Sequence, residues 1–221
     1  MIALLVSLVL LILAMGALVF LPAGTLDYWQ AWMTLGGYFL ASLLVSLWLL
    51  RHDRALLERR IKAGPFAEGE RSQKIIMTIV TLGFVLLLVV PGLDRRFGWS
   101  TMPDAVALLG NLLMIVGWAG ILAVFRANSY AAATIRVERN QQLISTGPYA
   151  VVRHPMYAAG TLMLGGLPLG LGSWWGLVPF AAILPALAWR LLDEERVLLR
   201  DLPGYGAYCR KLRWRLLPLI W

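Results

Sequence analysis

The chain has 221 residues, of which 60% are hydrophobic and only 14% are charged, and its mean hydropathy is +0.73. A soluble domain carries about a quarter charged residues, so this composition excludes an ordinary soluble globular protein. The net charge of +8 lies in short loops between apolar runs and in the C-terminal tail, which favours anionic lipid headgroups over nucleic acid as the partner. A single cysteine, Cys209, and two histidines exclude an internal disulfide and argue against a metal centre.

Four apolar runs match or approach the length of a membrane span, which is about 20 residues. They are Ile2–Leu21, Trp29–Leu50, Ile75–Val90, which can extend to Leu93, and Ala105–Phe125. No basic segment precedes the first run, so we interpret it as a span and not as a signal peptide. Residues 1–125 are therefore predicted to form a transmembrane scaffold of four spans.

A fifth apolar region, Met156–Leu192, is roughly twice as long as one span. It is interrupted by helix-breaking residues, namely Pro168, Gly170, Gly172 and Ser173. We expect a helical hairpin with arms at Tyr157–Leu169 and Trp174–Leu199, and the short first arm leaves open whether the hairpin crosses the bilayer. The predicted fold is an all-α integral membrane protein with about five membrane segments, the last a hairpin. A cofactor-binding and catalytic region would occupy residues 126–221.

Loops that are rich in basic residues alternate along the chain with loops that are poor in them. The loop after the second run, the segment after the fourth run and the C-terminal tail are rich in arginine and lysine, whereas the first loop has only Asp27. Positive loops face the cytoplasm. The N-terminus, the region after Phe125 and the C-terminus are therefore expected on the cytoplasmic side, in a bacterial inner membrane.

The segment 128–157 is the least membrane-like part of the C-terminal half. Thr134–Glu138 alternates and indicates a short extended piece, and residues 146–149 form a turn signal. Pro155 is well suited to the first position of a helix. Arg153 and His154 would then lie at a helix N-terminus, where free N–H groups attract an anionic group. Taken alone, His154 is a capping or interfacial histidine and Arg153 a lipid-facing anchor.

A second polar cluster lies at the end of the hairpin. Arg190 and Glu194 are four residues apart and share a helix face. Arginine before glutamate is the weaker order for a local ion pair, and ionisable groups at membrane depth usually serve a site or cavity. The alternative is a solvated helix end just past the interface. Beyond a Pro-Gly turn, Tyr205 and Tyr208 lie on one face of a short helix.

The ordered set of these motifs resembles the isoprenylcysteine carboxyl methyltransferase family and the wider group of membrane phospholipid methyltransferases. The motifs are Gly147-Pro148-Tyr149, Arg153-His154-Pro155-x-Tyr157-x-x-Gly160, Glu194-Glu195-x-x-Leu198 and Tyr205-x-x-Tyr208. The resemblance covers residues 128–218. It implies a pocket for S-adenosylmethionine at the cytoplasmic membrane face, made by the C-terminal half.

The resemblance also implies roles for individual residues. Those lining the cofactor would be Gln141, Gln142, Leu143, Ile144 and Tyr149, while His154, Pro155, Met156 and Tyr157 would hold its methionine end and nearby parts. Glu194 would accept a hydrogen bond from the cofactor. Arg190 would face the substrate, and Arg190 and Glu194 are the predicted catalytic residues.

The acceptor is expected to be a lipid-like or prenylated molecule or protein that enters from the bilayer. A carboxylate acceptor would need no base and would be oriented by Arg190; an amine would need one, for which Glu194 or Glu195 are candidates. Two other functions remain open. One is an NADPH-dependent reductase of sterol-reductase type, with Arg136 and Arg139 on the extra phosphate, and the other is a non-catalytic transporter or scaffold.

Overall fold

A computed structural model describes residues 2–61, 70–131 and 141–221. These residues form eight α-helices, a short 3-10 helix over Gly147–Ala150 and no strand. The α-helices are α1 (Ile2–Ala23), α2 (Trp29–His52), α3 (Arg54–Ile61), α4 (Arg71–Phe97), α5 (Asp104–Ala127), α6 (Pro155–Gly170), α7 (Leu177–Asp201) and α8 (Tyr205–Lys211). Helices α1, α2, α4 and α5 are long and apolar enough to cross a membrane. The predicted all-α membrane class is confirmed.

Helix α4 extends beyond the predicted apolar run at both ends. Its first turn contains Gln73 and its last turn contains Asp94, and both side chains are buried. The helix stops where Gly98 adopts a left-handed φ of 63° and its N–H donates to the carbonyl of Asp94 at 2.8 Å. Hydropathy finds only the apolar middle of such a helix, because polar ends remain helical when their side chains find partners.

The hairpin of α6 and α7 reaches the far end of the helix bundle. The hydroxyl of Tyr28, in the α1–α2 loop, donates to the carbonyl of Leu171 in the hairpin turn. The ring N–H of Trp174 donates to the carbonyl of Thr101, in the α4–α5 loop, at 3.2 Å. The turn therefore lies level with the first and third loops, so the short first arm still runs the length of the bundle.

Helices α5 and α6 pack closely because glycine lies where they cross. A Cβ atom on Gly117 would lie 2.6 Å from the backbone nitrogen of Met163, and one on Gly110 would lie 2.3 Å from that of Gly170. Small residues allow membrane helices to approach to backbone contact. This packing holds the first turn of α6 beside the last turn of α5, at the end of the bundle opposite the hairpin turn.

Candidate active site

A cavity of about 380 Å³ lies where α5 ends and α6 begins. Its volume falls in the range of small-molecule pockets. The structure brings all eleven predicted site residues to its wall: Gln141, Gln142, Leu143, Ile144, Tyr149, His154, Pro155, Met156, Tyr157, Arg190 and Glu194. The individual roles given to them remain predictions.

The first turn of α6 forms one wall of the cavity. Pro155 is the first helical residue, as predicted, and His154 is the residue before it, with φ −123° and ψ 63°. The His154 side chain makes no capping hydrogen bond. Its Nε2 atom instead lies 3.2 Å from Oε1 of Glu195 and 3.4 Å from the hydroxyl of Tyr205. His154 therefore joins α6 to α7 and α8, and the interpretation as a capping histidine is wrong.

Glu195 is the centre of a buried charge network. Its Oε1 lies 3.1 Å from Nη2 of Arg153, and both side chains are only 8% exposed. Its Oε2 accepts from Nε of Arg215 at 2.9 Å. The interpretation of Arg153 as a lipid-facing anchor is therefore wrong, because a buried carboxylate one helix away neutralises it. Burial of this arginine is tolerated only because it is paired.

The tail of the chain is held on the same network by its backbone. The N–H groups of Arg153 and His154 donate to the carbonyls of Trp214 and Arg215, both at 2.9 Å. With the ion pair to Glu195, these bonds place residues 214–215 beside the start of α6. The tail is thus part of the support of the cavity.

Glu194 and Arg190 face the cavity from α7. The hydroxyl of Tyr157 donates to Oε2 of Glu194 at 2.7 Å. Arg190, which is 7% exposed, donates from Nη1 to the side-chain oxygen of Gln73 at 2.9 Å. The amide nitrogen of Gln73 donates in turn to Asp193 at 2.9 Å. Tyr157 on α6 and Gln73 on α4 therefore help to fix the directions of Glu194 and Arg190.

The turn at Tyr149 and helix α8 close another side of the cavity. Asn128, just after α5, donates to the Tyr149 hydroxyl at 2.8 Å, and the Tyr208 hydroxyl donates to the Tyr149 carbonyl at 2.6 Å. Burial raises the pKa of Tyr149 to about 12, so this phenol stays neutral. Tyr205 and Tyr208 lie together, with ring centroids 5.8 Å apart, and both line the cavity.

The scaffold contributes cavity residues that were not predicted from the sequence. Arg60 of α3 and Met77 of α4 line the cavity, and Gln73 orients Arg190. Arg60 is one of several basic residues in its loop, so no sequence signal distinguished it. Gln73 did carry a signal, since a polar side chain at the start of a span needs a partner.

Part of the predicted site lies outside the described residues. This applies to the extended piece Thr134–Glu138 and to Arg136 and Arg139, the two arginines proposed for a nicotinamide cofactor. In the ranges that the structure covers, no group of three or more His, Cys, Asp or Glu side chains is arranged to hold a metal ion.

One known protein family matches part of this chain. Residues 105–203 match the phospholipid methyltransferase family, a range that runs from α5 to just beyond α7. This confirms the resemblance drawn from the motifs and supports a membrane methyltransferase.

Two curated relatives are similar over 138 residues. The nickel-cobalt-cadmium resistance protein NccN of Alcaligenes xylosoxydans xylosoxydans is 30% identical, over 60% of this chain and 59% of that protein. The cobalt-zinc-cadmium resistance protein CzcN of Cupriavidus metallidurans is 29% identical, over 60% of this chain and 58% of that protein. The chain thus matches less than two thirds of the length of either relative.

Proposed function

We propose, starting from the match of residues 105–203 to the phospholipid methyltransferase family, that this chain is an integral membrane methyltransferase. It would transfer a methyl group from S-adenosylmethionine to a lipid-like or prenylated acceptor, preferentially on a carboxylate. One observation supports the proposal most directly. The motifs assign residues in two separate parts of the chain, 141–157 and 190–194, to the cofactor and the acceptor, and these residues line one cavity.

The start of α6 suits the amino-acid end of S-adenosylmethionine. Backbone N–H groups in the first turn of a helix bind a carboxylate. The Nε of Arg153 is buried and has no hydrogen-bond partner within the described ranges, so it offers a further donor to a ligand carboxylate. The side-chain amides of Gln141 and Gln142, beside the apolar Leu143, suit the polar edge and flat face of an adenine.

The residues of the chain would mainly align the reactants. S-adenosylmethionine supplies an activated methyl group, and attack by a carboxylate oxygen breaks the methyl–sulfur bond and leaves the electron pair on sulfur, with no proton transfer. Such a displacement depends on orientation in a site that excludes water. Arg190, fixed by Gln73, would hold the acceptor carboxylate in a two-pronged pairing. Glu194, fixed by Tyr157, would orient the cofactor.

An amine acceptor would require a base, and the structure favours one glutamate for it. Both oxygens of Glu195 are engaged by Arg153, His154 and Arg215, which leaves this carboxylate poorly suited to accept a proton. Glu194 lines the cavity and accepts a hydrogen bond from the neutral hydroxyl of Tyr157. If the acceptor is an amine, Glu194 is therefore the proposed base.

The test uses membranes that contain the chain, incubated with S-adenosylmethionine labelled on its methyl group. We expect label in a lipid or prenylated product and binding of S-adenosylhomocysteine but not NADPH to the purified protein. Arg190→Ala and Glu194→Gln should abolish most of the labelling, whereas Glu58→Gln, on the exposed face of α3, should not. A chain that binds NADPH instead, or that binds neither compound and labels nothing, would refute the proposal.

The names of the two relatives motivate a separate proposal about physiology. Methyl transfer to a membrane component would support tolerance of nickel, cobalt, zinc or cadmium. A metal-sensitive bacterium that produces the chain should then grow better on these metals, and the Glu194→Gln variant should not help. Equal protection by that variant would separate metal tolerance from methyl transfer.

A further inference from the structure

The segment 215–221, called the tail loop below, folds back on itself beside the cavity. The N–H groups of residues 215–217 all donate to the carbonyl of Trp221, at distances of 2.8, 2.9 and 3.1 Å. The guanidinium of Arg215 also lies 5.5 Å from the ring centroid of Trp221. These contacts join the two ends of the loop, so the loop forms one compact unit.

The tail loop has an attached side and an exposed side. On the attached side, Arg215 pairs with the buried Glu195, and its carbonyl accepts from the N–H of His154. The exposed side carries three large apolar side chains, called the apolar tip: Leu217 (53% exposed), Leu219 (82%) and Ile220 (75%). Apolar side chains clustered on a surface in this way mark a contact with a partner or a membrane.

Positive charge lies next to the apolar tip. The stretch 202–221 contains four basic residues and no acidic residue. One of the four, Arg215, is used by Glu195. The other three are exposed and are called the basic group: Arg210, Lys211 and Arg213. An apolar tip beside a basic group is complementary to anionic lipid, whose headgroups are negative and whose chains are apolar.

The backbone bonds to α6 set the height of the tail loop relative to the bilayer. Helix α5 has 24 residues and is about 36 Å long, so it exceeds the hydrocarbon core of a bilayer, which is about 30 Å thick. Its last turn, with Arg126, therefore lies in the headgroup layer. Residues 214–215 bond to residues 153–154, beside this turn, so the tail loop lies at the same level.

We propose that the tail loop docks on the anionic lipid surface beside the cavity, with the apolar tip among the lipid chains and the basic group on the headgroups. Apolar side chains, basic neighbours and height in the bilayer all fit this one partner. The lipid contact is a separate property of the chain and does not depend on methyl transfer.

The docked lipid would also support the start of α6. When the bonds between the tail and residues 153–154 open, a loop that is still bound to lipid stays close to them, which raises its effective concentration. The bonds then form again more readily. Because such linkage is reciprocal, anionic lipid should stabilise the attachment of the tail to α6.

A fluorescent probe tests the docking directly. In a Cys209→Ser background, Pro218→Cys places a single thiol at an exposed position of the loop and keeps the apolar tip; the thiol is labelled with the dye NBD. The full chain is placed in nanodiscs of phosphatidylcholine, alone or mixed with phosphatidylglycerol. Quenching by lipids that carry a nitroxide on the acyl chain is compared with quenching by aqueous iodide. Hydrogen exchange at the N–H groups of residues 153–154 follows the attachment of the tail to α6.

Three combined variants separate the charge from the apolar contact. The first replaces the whole basic group by glutamine, and the second replaces the whole apolar tip by asparagine. The matched control is Arg51→Gln, Arg71→Gln and Lys74→Gln together. It removes the same two arginines and one lysine from exposed positions at the same end of the bundle. No cofactor is added, so the result is independent of the proposed function.

We expect the nitroxide lipids to quench the probe in nanodiscs with phosphatidylglycerol, where iodide should have little access. Exchange at residues 153–154 should be about 10-fold slower there than in phosphatidylcholine, since each basic residue near an anionic surface contributes about a factor of five. High salt should remove this difference. The basic-group variant should lose the response to phosphatidylglycerol, the apolar-tip variant should lose the nitroxide quenching, and the control should behave like the parent chain.

Four results would overturn the inference. Equal iodide quenching in both nanodiscs, without nitroxide quenching, would show that the tail loop stays in water. Docking with unchanged exchange at residues 153–154 would remove the support of α6. Shielding of the probe only when two chains share a nanodisc would assign the apolar tip to a second copy. Equal losses in the control and the basic-group variant would show a general effect of charge at this end of the bundle.

Discussion

Replacing Glu195 by glutamine removes a buried negative charge that Arg153, His154 and Arg215 share. The Arg153 and Glu195 side chains are both 8% exposed and 3.1 Å apart. Removing one partner of a buried ion pair costs about 3–5 kcal/mol, because the other charge is left uncompensated. Glutamine keeps the shape and one acceptor oxygen, so we expect the lower end, about 3 kcal/mol, or roughly a 100-fold fall in the folding equilibrium.

The same substitution at Glu58 is the matched control. Glu58 pairs with Arg54 at 3.1 Å, but the two side chains are 59% and 73% exposed. Exposed pairs contribute about 0–1 kcal/mol. The assay is equilibrium unfolding by a denaturing detergent in mixed micelles, followed by far-ultraviolet circular dichroism. Losses for Glu195→Gln and Glu58→Gln that agree within about 0.5 kcal/mol would show that the buried Glu195 network contributes no more stability than an exposed ion pair.

Three further predictions concern packing, topology and ligand binding. Gly117→Ala should destabilise the protein by about 1–3 kcal/mol, because its Cβ would meet the backbone of α6, whereas Gly36→Ala, with nothing within 4 Å, should be neutral or stabilising in the same unfolding assay. In a Cys209→Ser background, a membrane-impermeant maleimide applied to intact cells should label Trp175→Cys but not Arg210→Cys; the reverse pattern would invert the predicted orientation. S-adenosylhomocysteine at 100 times its dissociation constant should raise the unfolding free energy by about 2.7 kcal/mol, and no rise would contradict its binding to the folded chain.

The sequence predicted those parts of the fold and site that depend on nearby residues. Pro155 marks the start of α6, and the four-residue spacing of Arg190 and Glu194 places both on the cavity side of α7. Apolar run length located the four long helices to within a few residues, with α4 as the exception, because its ends are polar.

The parts that could not be predicted depend on contacts between distant segments. Whether Arg153 faces lipid or a carboxylate is decided by Glu195, on another helix, and charge alone does not distinguish the two. Gln73 and Arg60 belong to segments that resemble a featureless scaffold. Their contribution becomes visible only when packing brings α3 and α4 to the start of α6.

The bonds between residues 153–154 and 214–215 also bear on the order in which the protein can assemble. Synthesis runs from the N-terminus, so all the long helices exist before Arg215 does. Until Arg215 emerges from the ribosome, Glu195 lacks one of its partners and the start of α6 lacks two backbone hydrogen bonds. The cavity can therefore be completed only after the tail has left the ribosome, and a ribosome-bound nascent chain would lack a finished ligand site.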